Sequence, residues 1–119
     1  MRRALEDVGL GHVVGADPGR LTSGDQRLLQ VARAVATGAR VLLLDEPAAG
    51  MTADERTRLA LVLRRLAGNG SAVLLVEHDM RLVGEVADEV TVLDQGQVLA
   101  TGSPEQVRAD PAVRRAYLG

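Results

Sequence analysis

The segment Val41-Leu42-Leu43-Leu44-Asp45-Glu46-Pro47 constrains the fold more than any other part of this chain. Four apolar residues in succession, with no polar alternation, suit a strand buried on both faces, as in a parallel sheet covered by helices. The carboxyl end of such a strand is where open α/β sheets receive their ligands. Here that end carries Asp45 and Glu46, adjacent carboxylates of the kind that serve a metal ion and a water nucleophile. A second run, Ala72 to Val76, is followed by Glu77, His78 and Asp79. Two strands therefore present polar ends on one edge.

The segments around these strands alternate with them, which is an α/β pattern. Residues 2 to 9 read as a short helix, followed by a glycine-rich loop up to Leu21. The next helix starts near Ser23, with Ser23 and Gly24 at its N-terminal cap. Leu28, Val31, Ala32 and Val35 recur on one face, Arg27, Gln30 and Arg33 lie on others, and Gly38 ends it. Thr52 and Glu55 form a capping box ahead of the apolar stripe Leu59, Val62, Leu63 and Leu66, which runs until Gly68. A short helix through Leu82, Val83 and Val86 leads to a hairpin, Val90 to Leu93 and Val98 to Ala100, turning at Asp94, Gln95 and Gly96. Ser103 with Gln106 is a second capping box, with Pro104 at the first helical position, and Asp110 with Pro111 repeats the start signal. Two small helices are expected to close the chain.

Composition sets the remaining bounds. With 119 residues, 46% of them apolar, one modest domain is expected. The charge is −2 and scattered, which announces neither nucleic acid nor an anionic membrane surface. Cysteine is absent and Tyr117 is the single aromatic, so thiolate metal sites and base stacking are excluded. The apolar runs are too short to span a bilayer and the start does not look like a signal peptide, so a soluble, cytoplasmic chain is expected. Every basic residue is an arginine, and no Gly-x-x-x-x-Gly-Lys-Ser/Thr segment occurs. The loop that would cradle phosphates is thus not among these residues.

Three elements in order carry a resemblance: Leu21-Thr22-Ser23-Gly24-Asp25 before a helix, Asp45-Glu46 after a strand, and His78 after the next strand. Together they resemble an ATP-binding cassette ATPase. The first aligns with the family's Leu-Ser-Gly-Gly-Gln signature, Val41 to Pro47 with its Walker B segment, Ala49 to Thr52 with its D-loop, and His78 with its switch histidine. The resemblance implies the C-terminal half of a P-loop NTPase domain, α/β, with a mostly parallel sheet, flanking helices, a C-terminal hairpin and short helices. Residues 1–38 would end the helical subdomain and 39–119 would hold the remainder. It further implies that Asp45 holds Mg2+ through its water shell and that Glu46 orients or deprotonates the attacking water. His78 would act as a hydrogen-bonding switch to the γ-phosphate. Leu21, Thr22, Ser23, Gly24 and Asp25, with free N–H groups at Ser23 and Gly24, would face ATP held by a second subunit, alongside Gly50 and Met51. Implied partners are that second ATP-binding subunit, homologous or identical, transmembrane permease subunits and, indirectly, a substrate-binding protein. No nucleic acid is implied. The location would be cytoplasmic, on the inner face of the plasma membrane.

Glu77-His78-Asp79-Met80, Ala48-Ala49-Gly50-Met51 and the ending Asp110-Pro111 to Ala116-Tyr117-Leu118-Gly119 look like the subunits that power branched-chain amino-acid importers. Urea and short-amide importers are the runner-up, and a non-enzymatic remnant is a third reading. Ser23 stands where the family usually has glycine and Asp25 where it has glutamine, a carboxylate that favours its own helix end but repels a phosphate arriving there. Without the phosphate loop this polypeptide alone is expected not to hydrolyse ATP, whether it is a truncation, a partial sequence or a piece of a split domain. A half-sheet is also expected to leave the faces of Val41 to Leu44 and Ala72 to Val76 under-covered.

Overall fold

The computed structural model describes residues 1–118; Gly119, the last residue of the C-terminal segment read above, lies outside them. The chain divides after His78 into two units. The C-terminal hairpin and helices enclose a small core of their own.

In the first unit, α1 (Arg2–Asp7) is followed by two single 3-10 turns, Gly11–Val13 and Pro18–Arg20, within the expected loop. Helix α2 (Ser23–Ala36) buries Leu28, Val31 and Ala32 as the spacing predicts, while Val35 is half-buried and Gln30 and Arg33 are exposed. Strand β1 (Val41–Asp45) leads to α3 (Ala53–Gly68) and β2 (Ala72–Val76). The Thr52 capping box is complete in both directions, with Thr52 Oγ1 accepting the Glu55 N–H at 3.3 Å and Glu55 Oε2 accepting the Thr52 N–H at 2.9 Å. The helix stops later than expected. Gly68 is still helical, and Gly70, at φ 92°, supplies the left-handed turn. The N–H groups of Gly70 and Ser71 donate back to Ala67 and Leu66, each at 3.0 Å, closing the helix end.

Strands β1 and β2 pair in parallel, Val41 opposite Ala72 through Asp45 opposite Val76. Leu42 on one face of the pair, with Leu28 of α2 and Leu59, Leu63 and Leu66 of α3, is buried, each of them at most 3% exposed. Burying side chains of this size contributes about 1.5–3 kcal/mol each. The other face is open: Val41, Leu43, Leu74 and Val76 are 55 to 71% exposed. Burial of the Val41 to Leu44 strand on both faces is thus corrected, whereas the under-covered sheet is found. Side chains alternate along a strand, so an all-apolar run keeps an apolar second face whether or not anything covers it.

In the second unit, Asp79 caps α4 (Met80–Val86), its Oδ1 accepting the N–H groups of Arg81 and Leu82 at 3.0 and 3.2 Å. Strands β3 (Val90–Asp94) and β4 (Gln97–Gly102) form the expected antiparallel hairpin, with a bulge between Val92 and Leu93. Gln95 and Gly96, both at positive φ, make the two-residue turn whose twist suits a hairpin. Helices α5 (Pro104–Ala109) and α6 (Pro111–Val113) follow, the first with the Ser103–Gln106 capping box intact. Val92, Val107 and Val113 form the core here, with Val90, Leu99 and Ala100 packed against them. The chain then winds as a single π-helical turn, Arg114–Leu118, from which the Tyr117 hydroxyl donates to the Leu93 carbonyl.

Candidate active site

Parallel pairing brings the two polar strand ends together, because Asp45 lies opposite Val76 and the residues that follow each strand leave side by side. The Glu46 N–H extends the ladder, donating to the Val76 carbonyl at 2.8 Å. Glu46 then turns the chain sharply, at φ 43°, in a region that disfavours a side chain and costs on the order of 1–2 kcal/mol. That turn is held from both sides, since the Glu46 carbonyl accepts the Ala49 N–H at 3.2 Å. It directs the Glu46 carboxylate to His78, with Oε1 3.2 Å from Nδ1. Both side chains are more than half exposed, so this pair contributes little to stability and its consequence is orientation. Asp45 is exposed at the strand end, open to a ligand.

Glu77 was not among the residues that sequence reasoning assigned to the site. Its side chain is 2% exposed. Oε1 accepts the Ala48 N–H at 3.0 Å and Oε2 accepts the His78 N–H at 3.2 Å. Gly50 is exposed, whereas Met51 is buried and its N–H donates to the Ala48 carbonyl at 3.1 Å.

The segment Leu21 to Asp25 is built differently from expectation. Thr22, rather than Ser23, caps α2, its Oγ1 accepting the Asp25 N–H at 3.1 Å. The Gly24 N–H, expected to be free, donates to Glu55 Oε1 at 3.2 Å. A Cβ on Gly24 would lie 2.5 Å from the Glu55 carboxyl carbon, so the close approach of Glu55 is what requires glycine there. Glu55 therefore ties the start of α3 to the start of α2. Its carboxyl is held below the ordinary glutamate range, first by the Thr52 N–H and then by the Thr22 hydroxyl, the Gly24 N–H and the Thr52 hydroxyl, against desolvation. Asp25 is buried and directed to Arg58, Oδ1 to Nη1 3.0 Å, so its charge is compensated within the chain. No sequence pattern flagged Glu55 or Arg58 as partners of this helix end.

The donor set fits one end of a Mg-nucleotide site. Among the described residues no group of three or more His, Asp or Glu side chains could hold a metal ion. A single carboxylate at a strand end nevertheless suits Mg2+, which keeps most of its waters and takes further oxygens from phosphates. No helix among the described residues is long and apolar enough to cross a membrane.

Comparison with known proteins agrees with this geometry. Residues 1–49 match the family model described as ABC transporter. Residues 97–119 match that of the branched-chain amino acid ATP-binding cassette transporter. The chain is 45% identical over 116 residues to the high-affinity branched-chain amino acid transport ATP-binding protein BraF of Pseudomonas aeruginosa, covering 97% of this chain and 46% of the relative. Identity to LivG of Escherichia coli (strain K12), a protein described in the same words, is 43%, with the same coverage. The chain spans about half the length of the curated relatives it matches. Among solved structures, an ATP-binding cassette of an ABC transporter in its ADP conformation superposes with a TM-score of 0.89 at 28% identity, covering 98% of this chain and 48% of the other. A nucleotide-free ATP-binding cassette gives 0.87 at 27%, with the same coverage. Motif order, the paired strand ends and these matches agree, and the chain belongs to the ATP-binding cassette family.

Proposed function

We propose that residues 1–119 carry the hydrolysis side of an ATP-binding subunit that energises a branched-chain amino acid importer. The observation that carries this reading is the Glu46–His78 pair, 3.2 Å apart at the ends of two parallel strands, in a chain 45% identical to BraF. The match of residues 97–119 to the branched-chain model favours that substrate class over urea or short amides.

Mg2+ bound with the nucleotide would supply charge neutralisation for the γ-phosphate oxygens, and Asp45 would hold it through its water shell. Glu46 uses one carboxylate oxygen to bond His78 and has the other to orient, or take a proton from, the attacking water. A neutral His78 that donates through Nδ1 leaves Nε2 as an acceptor. It can donate to a phosphate oxygen only as the imidazolium, or after Glu46 lets go. Leu21 to Asp25, with Gly50 and Met51, would face ATP on a second subunit, identical or homologous. Permease subunits would anchor the assembly on the inner face of the plasma membrane, and through them it would serve a substrate-binding protein.

In the complete ATP-binding protein carrying these residues, Glu46→Gln should stop phosphate release while Mg-ATP binding persists. Steady turnover in that variant would refute the role given to Glu46. The 119 residues alone contain no lysine and no phosphate-cradling loop, so calorimetric titration with Mg-ATP should be nearly silent. Micromolar affinity would show that the primary nucleotide contacts lie within this chain after all.

A further inference from the structure

The geometry points to Glu77 as the positioning residue that sets Glu46 and His78 against each other; this rests on the reading of those two as the hydrolysis pair. The placement follows from β2. Alternation along the strand turns Val73, Leu75 and Glu77 to the same side, and Val73 and Leu75 are on its less exposed face. Glu77 therefore enters beneath the loops instead of pointing into solvent, and its side chain is only 2% exposed. A carboxylate is costly to bury unless its oxygens are hydrogen-bonded. Here each oxygen has a separate backbone partner on a separate loop, the Ala48 N–H at 3.0 Å and the His78 N–H at 3.2 Å. Ala48 lies two residues beyond Glu46, in the turn that Glu46 begins. One buried side chain thus clamps the loop bearing the water-handling carboxylate to the loop bearing the histidine. Neither hydrogen bond reaches a reacting atom, and Oε2 stays 4.0 Å from the His78 Nδ1 that bonds Glu46, so Glu77 acts through Glu46 and His78.

Glutamine in its place keeps the volume and can accept from only one of the two N–H groups, its amide opposing the other. Two measurements test the clamp. In the complete ATP-binding protein, hydrogen exchange followed by NMR should show at least one of the Ala48 and His78 amides exchanging about tenfold faster in Glu77→Gln than in the unaltered protein. In the complete ATP-binding protein, Glu77→Gln should lower kcat by about tenfold or more while KM for Mg-ATP stays within about twofold, because a misplaced water costs rate and not nucleotide affinity. A kcat within twofold of the unaltered protein would overturn the proposal, as would Ala48 and His78 amides that exchange as fast as open-loop amides in the unaltered protein. The latter remains decisive even where the variant fails to fold. Glu46→Gln in the same protein separates the two ideas. Turnover that survives it sinks the hydrolysis reading itself, whereas turnover that stops there and persists unchanged in Glu77→Gln sinks only the clamp.

Discussion

At Asp25 the residue scale alters what the sequence suggests. A carboxylate at a phosphate-facing helix end reads as a repulsive element, yet this one is buried and lies 3.0 Å from Arg58. Its charge is met from α3 before any ligand arrives. Because the Arg58 side chain is 42% exposed, solvent screens much of the attraction. A double-mutant cycle of Asp25→Asn and Arg58→Met, read by urea denaturation, should therefore give a coupling of about 0.5–1 kcal/mol. Zero coupling would show the pair to be incidental. Asp25→Gln should still raise ATP-driven dimerisation in the complete protein, since it removes the carboxylate that neutralises Arg58 and leaves that guanidinium's charge beside the helix end. A fall on that substitution would assign the Arg58 contact the larger role.

Two helices at the element scale share one capping side chain. Glu55 closes its own capping box with Thr52 and also accepts the Gly24 N–H from the start of α2. Gly24→Ala would drive a methyl group into that carboxylate, breaking both arrangements, and should destabilise the chain by about 1–2 kcal/mol. In a Glu55→Ala background the clash is gone, so the same substitution should cost nothing and instead gain alanine's helix-propensity advantage over glycine, and equal costs in both backgrounds would dissociate Gly24 from Glu55. The lowered pKa of Glu55 gives a pH signature. A depressed folded-state pKa contributes stability that is present above the unfolded value and lost as pH falls through the folded one. Melting temperatures of the unaltered chain and Glu55→Gln should therefore differ most near neutrality and converge in acid below the ordinary glutamate range. Curves that stay parallel throughout would rule out ionised Glu55 as the cause.

For the whole molecule, the decisive feature is the open face of the parallel pair. Val41, Leu43, Leu74 and Val76 form an apolar surface on a two-stranded sheet, which by itself is marginal. The 119-residue chain should bind an apolar-surface dye and aggregate on concentration. Leu43→Thr with Leu74→Thr should reduce both effects without loss of secondary structure, because these side chains leave the core untouched. A monomer that binds no dye and melts cooperatively at high temperature would contradict this account.

Local chemistry by itself determined the elements. The apolar runs fixed β1 and β2, the Thr52 and Ser103 boxes fixed two helix starts, and Gln95-Gly96 placed the hairpin turn. Each depends on neighbours within a few residues, whose backbone demands are written in the residue types. The order of the signature, carboxylate and histidine segments likewise identified the family. Only the tertiary structure decided which face of the parallel pair is covered, and that the C-terminal residues form a second unit around Val92, Val107 and Val113. It alone paired Gly24 with Glu55, Asp25 with Arg58 and Ala48 with Glu77, partners 31, 33 and 29 residues apart. Carboxylates such as Glu55 and Glu77 look, in sequence, like any solvated charge. Chain crossover and strand register set their partners, and neither periodicity nor spacing encodes which distant N–H group a side chain will meet.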